Sequence, residues 1–178
     1  MALASDPDVR ALGDLVRAVR RDIHKMHAFV RFRSVERPEG GEAFVAWYEP
    51  DNHIVAAAAP FFAKRFASLV WSILTPETCA HWTGERLVFT PGVTREAAPG
   101  ADALEDLWRG YYASTFNPAR VNPRAMKAEM PVRFWKNLPE AELIADLIAQ
   151  APARTREMLA KAPSLPVRRR GATLPDEA

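Results

Sequence analysis

An α+β fold, with a mostly antiparallel sheet of about five strands, helices on one face and a C-terminal helical segment, is predicted by the order of hydrophobic periods along the chain. Helical period gives way to alternation, returns, alternates again over three short stretches and then stays helical. Short connections between neighbouring strands point the same way, because antiparallel strands accept tight turns whereas parallel ones need long crossovers. Length is the third indication. A chain of 178 residues, 48% apolar and 10% aromatic, can bury a core without disulfides or metals. One domain is expected over residues 1–162, with a flexible tail or linker over 163–178, where prolines, the Arg168–Arg170 triplet and an acidic end succeed one another.

The elements follow in order. Val9, Leu12, Leu15, Val16, Val19 and Ile23 stand at helical spacing with arginines between them, and Asp6-Pro7 supplies a cap and a first position, so a basic amphipathic helix is predicted over 6–26. Phe29, Val30 and Phe32 then alternate with Arg31 and Arg33, and Ala43 to Tyr48 follows the turn Pro38-Glu39-Gly40-Gly41. These read as a strand pair. Pro50-Asp51-Asn52 is expected to open a second helix through Phe66, kinked or split at Pro60, where a ladder bond is lost. Strands are predicted over Trp71–Thr75, Thr78–Trp82 and Arg86–Phe89. After a Pro/Gly/Ala loop over 91–101, Asp102 and Glu105 stand in capping-box spacing before a long helix containing Trp108 and Tyr111. The final helical pattern carries Leu143, Ile144, Leu147 and Ile148.

Composition excludes several classes of function. The single cysteine, Cys79, forbids an internal disulfide or a Cys-rich metal centre and reads as an apolar filler. No apolar run reaches the roughly 20 residues of a spanning helix. Asp6 and Asp8 sit where a secretory signal would be apolar, so a cytoplasmic protein without membrane association is expected. The chain has no Gly-rich phosphate loop, no nucleophile elbow and no HExxH pattern, and no metal or cofactor is predicted.

Charge is the more informative signal. The formal net charge is only +2, yet cations cluster in blocks: Arg17, Arg20, Arg21, Lys25, Arg31, Arg33 and Arg37; then the stretch Trp108 to Asn137; then Lys161 with Arg168–Arg170. In the second block Arg120, Arg124, Lys127, Arg133 and Lys136 face only Glu129, interleaved with Tyr112, Phe116 and Trp135. Asn117-Pro118 and Asn122-Pro123 each place a capping oxygen before a proline, the start of a helix whose free N–H groups suit a phosphate. Ordinary short helices with locally paired arginines would give the same spacing. The candidate nucleic-acid contacts are Arg31, Arg33, Tyr112, Asn117, Arg120, Asn122, Arg124, Lys127, Arg133, Trp135 and Lys136, the arginines and lysines on phosphates and Trp135 or Tyr112 stacking on a base.

Lys25-Met26-His27-Ala28-Phe29-Val30-Arg31-Phe32, Phe44 to Tyr48 with Pro50-Asp51-Asn52-His53, Trp71 to Pro76, and the Tyr-Tyr, Phe-Asn-Pro-Ala-Arg and Asn-Pro-Arg-Ala-Met elements of the last block carry a resemblance over residues 6–160. They resemble a bacterial domain of unknown function described as a probable DNA metabolism protein. The resemblance implies a place beside a radical-SAM protein and frequent fusion to a uracil-DNA glycosylase superfamily domain, and it carries no catalytic residues. Members of that family have a further N-terminal segment not found here, as expected of a shortened form. Three functions are therefore weighed: an accessory domain that binds DNA and presents it to a repair enzyme; an enzyme acting on a DNA lesion or nucleotide through His27, His53 or His81 with Glu129 or Asp51; and a docking module for such an enzyme.

Overall fold

A computed structural model describes residues 6–37, 40–100 and 103–161. Helix α1 spans Pro7–Phe29, opened by Asp6, whose Oδ1 accepts from the Asp8 N–H at 2.9 Å. It runs past the predicted end at residue 26 and absorbs the start of the expected strand. The reason is a continuing seam: Ile23, Met26 and Val30 extend the i, i+3, i+4 series, and Met26 and Val30 are buried. The Val30 N–H closes the helix on the Met26 carbonyl at 3.1 Å. Only the C-terminal part of α1 enters the core. In the first turns the same stripe lies open, with Leu12 and Leu15 each 63% exposed.

Strand β1 (Arg33–Glu36) pairs antiparallel with β2 (Glu42–Trp47), and Gly40 and Gly41 take φ of 89° and 84° in the connecting turn. Helix α2 (Val55–Arg65) then crosses over, so that β2 pairs parallel with β3 (Trp71–Leu74). Strands β4 (Thr78–Trp82) and β5 (Leu87–Pro91) add antiparallel, giving the order β1-β2-β3-β4-β5. Helix α2 starts at Val55 rather than at the Pro50-Asp51-Asn52 cap, and it passes through Pro60 as one helix. Pro60 and Ala56, the residue four before it, are both exposed, so water reaches the carbonyl that the proline leaves unbonded. Asn52 serves a different contact. The buried Asp22 carboxylate of α1 accepts from the Asp51 and Asn52 N–H groups, both at 2.8 Å, and from Asn52 Nδ2 at 3.0 Å. This ties α1 to the β2–α2 connection through the backbone.

One sheet face carries Ala46, Tyr48, Trp71, Ile73 and Ala80 against Met26 of α1 and Ala58, Ala59 and Phe62 of α2. On the other face the segment after β5 returns across the sheet, where the Arg95 guanidinium lies 5.6 Å from the Trp47 ring and Cys79 is buried. Gly92 makes that return possible. Its N–H bonds to the Glu77 carbonyl at 2.8 Å, and a Cβ there would fall 2.1 Å from the Pro76 oxygen and 2.4 Å from the Glu77 nitrogen. Those are backbone atoms that no rotamer change can clear. Gly92→Ala is therefore expected to destabilise the domain by about 1–3 kcal/mol, read as a lowered urea midpoint with an unchanged slope.

The C-terminal part is helical. Helix α3 (Ala103–Thr115) is followed by a 3-10 turn Pro118–Arg120, helix α4 (Pro123–Glu129), 3-10 segments Val132–Asn137 and Pro139–Leu143, and helix α5 (Ile144–Ala160). Asp102, the expected cap of α3, and the tail over 163–178 lie outside the described residues. Phe134 fixes this part to the rest, stacked on Phe29 at 5.2 Å and on Tyr48 at 5.6 Å. No described helix is long and apolar enough to cross a membrane.

Candidate nucleic-acid interface

Both predicted caps form. Asn117 Oδ1 accepts from the Ala119 N–H at 3.0 Å, and Asn122 Oδ1 from the Ala125 N–H at 3.1 Å. The helices they open are short, three and seven residues, so neither contributes much of a dipole. What matters more is where α4 lies. Lys25 of α1 bonds the Glu129 carbonyl and pairs with its carboxylate, and this contact sets α4 beside α1. Between them runs a groove of about 410 Å³ lined by Arg20, Arg21, His24 and Lys25 on one side and Ala128 and Glu129 on the other. Arg124 stands one turn from Ala128 on the same helix face, and Lys127 precedes Ala128 directly. The first and second basic blocks, a hundred residues apart in the chain, thus meet. Arg20, Arg21, Arg124 and Lys127 are exposed, and none has a hydrogen-bond or ion-pair partner among the described residues.

The remaining cations are placed otherwise. Arg31 pairs with Glu140 at 2.7 Å, bonds the Ala28 carbonyl at 2.8 Å and lies 4.3 Å from the Trp108 ring. Arg33 pairs with Glu105 and bonds the Pro99 carbonyl at 2.6 Å. Arg133 pairs with Asp51, and Lys136 with Glu49 at 2.7 Å. The Lys136 hydrogen bond, with help from the Trp47 indole, holds the Glu49 carboxyl below the usual carboxylate range. Arg120 is exposed on the 3-10 turn, away from the groove. Asn117 lines a separate cleft of about 510 Å³ with Arg154 and Lys161 of α5 and its cap. Trp135 is half-buried, packs against the core and donates its indole N–H to the Met130 carbonyl at 3.0 Å. Tyr112 is half-buried too, and burial raises its phenol pKa.

The histidines and carboxylates considered for catalysis do not converge. His53 pairs with Glu77 on the surface, Asp51 with Arg133 and Glu129 with Lys25. His81 sits between Ser72 Oγ at 2.8 Å and Thr90 Oγ1 at 2.9 Å, with no carboxylate to orient it. His27 faces a different feature, an aromatic cavity of about 710 Å³. Phe32, Phe62, Phe66 and Trp71 wall it, Phe61 and Tyr111 stand at its mouth, and Arg65 lies beside Phe66. Among the described residues no group of three or more His, Cys, Asp or Glu side chains is close enough to hold a metal.

The model of a family described as a domain of unknown function, DUF4130, matches residues 1–140. The chain belongs to the DUF4130 family. No curated protein and no solved structure matches it. The family match covers α1, the sheet, α4 and the 3-10 segment that carries Trp135, and it stops before α5. Both walls of the groove and the whole aromatic cavity therefore lie within the DUF4130 unit.

Sequence reading of this DUF4130 domain missed Arg20, Arg21 and His24 as members of one site with α4. Arg20 and His24, four apart, share a face and Arg21 adjoins it, but nothing local says which element lies opposite. The aromatic cavity was missed because its rings come from α1, α2, α3 and the strands, and in each element they read as ordinary core. A pH dependence follows from the two half-buried histidines. Burial lowers the pKa of His27, against an opposing bond to the Ala58 carbonyl and with help from His24, and burial lowers that of His81. Above the ordinary value of 6.5 both folded and unfolded chains carry neutral rings. Below it the unfolded chain takes up protons first and is favoured. Urea midpoints are expected to hold steady down to about pH 7 and to fall below 6.5, and His81→Gln should flatten that decline.

Proposed function

We propose that this domain binds nucleic acid along the α1–α4 groove and serves as an accessory unit in DNA metabolism or repair, presenting DNA to a partner enzyme. The observation that carries the reading is the groove lined by Arg20 and Arg21 of α1 beside α4, whose Arg124 lies one turn from the lining Ala128; none of these three arginines pairs with a carboxylate among the described residues. A polyanion gains from such a place, because each phosphate neutralised releases counterions. A solvated charged face would explain scattered cations equally well. It explains less readily why Arg31, Arg33, Arg133 and Lys136 are each matched to a carboxylate while these are not.

Support for DNA in particular comes from the family resemblance, which associates such domains with uracil-DNA glycosylase superfamily enzymes and radical-SAM proteins. The open stripe of Val9, Leu12, Leu15, Val16 and Val19 on α1 is the observation that favours the docking reading, and it is compatible with the first. Titration of fluorescent single-stranded and duplex DNA at low and moderate salt tests the proposal. Affinity that falls linearly in log–log form with salt concentration is the expected result. Absence of binding at low salt would leave docking as the better account.

A further inference from the structure

We infer that the aromatic cavity is a seat for an unstacked nucleobase with its phosphate held at the mouth, an inference that rests on the nucleic-acid reading of the neighbouring groove. The floor is preorganised. Phe32 meets Phe62, Phe66 and Trp71 at centroid distances of 6.1, 5.6 and 5.9 Å, so the rings brace one another and need no rearrangement to receive a flat ligand. The volume of about 710 Å³ lies in the range of small-molecule sites. At the mouth Phe61 and Tyr111 are 44% and 63% exposed, large rings left uncovered by the protein.

Polar groups at the rim select among flat ligands. Arg65 is exposed, lies 5.9 Å from the Phe66 ring and has no carboxylate partner among the described residues, which suits an anion and repels a cation. His27 stacks on Phe61 at 4.0 Å with Nε2 3.3 Å from the Ala58 carbonyl. That carbonyl can only accept, which places the proton on Nε2 and leaves Nδ1 as an acceptor for an exocyclic amine. A planar ring that bears an anion and hydrogen-bonding edges meets all of these conditions, and an aliphatic or cationic ligand does not.

Position links cavity and groove. Arg20, His24 and then His27 with Ala28 follow one another at i+3 and i+4 along one face of α1; the first two line the groove, and the last two line the cavity. His24 and His27 are about 4.5 Å apart along the helix axis. A strand whose phosphates follow the cations of α1 therefore passes the cavity mouth.

Fluorescence anisotropy with a short single-stranded oligodeoxyadenylate and an abasic strand of equal length separates the base from the phosphates. The wild-type chain is expected to prefer the base-bearing strand by about tenfold. Phe61→Ala combined with Tyr111→Ala removes that preference while leaving affinity for the abasic strand unchanged. Both positions are exposed, and circular dichroism verifies the fold; Tyr111→Ala alone serves if the pair perturbs it. Equal binding of the two strands by the wild type overturns the cavity inference and leaves the groove reading intact. If neither strand binds, the groove reading falls. Deoxyadenosine monophosphate, followed by tryptophan quenching, then decides the cavity: quenching lost in the double variant makes the source a free nucleotide, and no quenching overturns the inference.

Discussion

Reversing Arg21, which lines the groove, and Arg124, one turn from the lining Ala128 on α4, to glutamate is expected to lower DNA affinity roughly a hundredfold at low salt. Two phosphate contacts disappear and two repulsions replace them. The slope of log affinity against log salt should shrink by about 2 for duplex DNA, because each lost contact removes close to one released counterion. Stability should barely change, with a thermal midpoint within about 2 °C of wild type, since both side chains are exposed and pair with no described residue. Lys136→Glu provides the comparison. Glu49 already neutralises that lysine, so its reversal should cost less affinity. A double variant that binds DNA with the wild-type salt slope would remove the groove from consideration.

Arg31→Ala is expected to have the largest effect on stability, about 3–5 kcal/mol. The side chains of Arg31 and Glu140 are 15% and 5% exposed, and Glu140 Oε2 is buried without a partner of its own. Removing the guanidinium strands a carboxylate away from water and also takes away the contact with the Trp108 ring. The double replacement Arg31→Ala with Glu140→Ala should recover part of the loss, because no charge is then left behind. A thermodynamic cycle by urea denaturation measures the coupling. If the single and double variants are equally destabilised, packing of the long arginine stem, and not its charge, is what holds α1 to the C-terminal segment.

How far the chain could be read in advance depended on the range of each interaction. Element order was legible, since Gly40-Gly41, Gly84 and the prolines punctuate segments whose hydrophobic period is clear. The α1 boundary was not, because Phe29, Val30 and Phe32 satisfy alternation as well as helical spacing, and burial of Val30 under the core decides between them. The Asn117 and Asn122 caps were legible because a cap involves residues two or three apart. The fate of the arginines was not. The carboxylates that meet Arg31, Arg33 and Lys136 lie 109, 72 and 87 residues away, so counting local charges could not separate paired cations from open ones. The same holds for Arg20 and Ala128, which line one groove through the Lys25–Glu129 contact.

The Asp22 carboxylate has a mechanical meaning for the groove. It lies one residue after Arg21 and grips the backbone at Asp51 and Asn52, so α1 is clamped to the sheet immediately beside its groove cations. Beyond the clamp the helix runs outward with its apolar stripe uncovered, as a lever supported at one end. Arg20, Arg21 and His24 lie within two residues of that clamp, and Arg17, paired with Asp14, lies on the arm beyond it. The placement of the groove arginines thus rests on one buried carboxylate of the same helix.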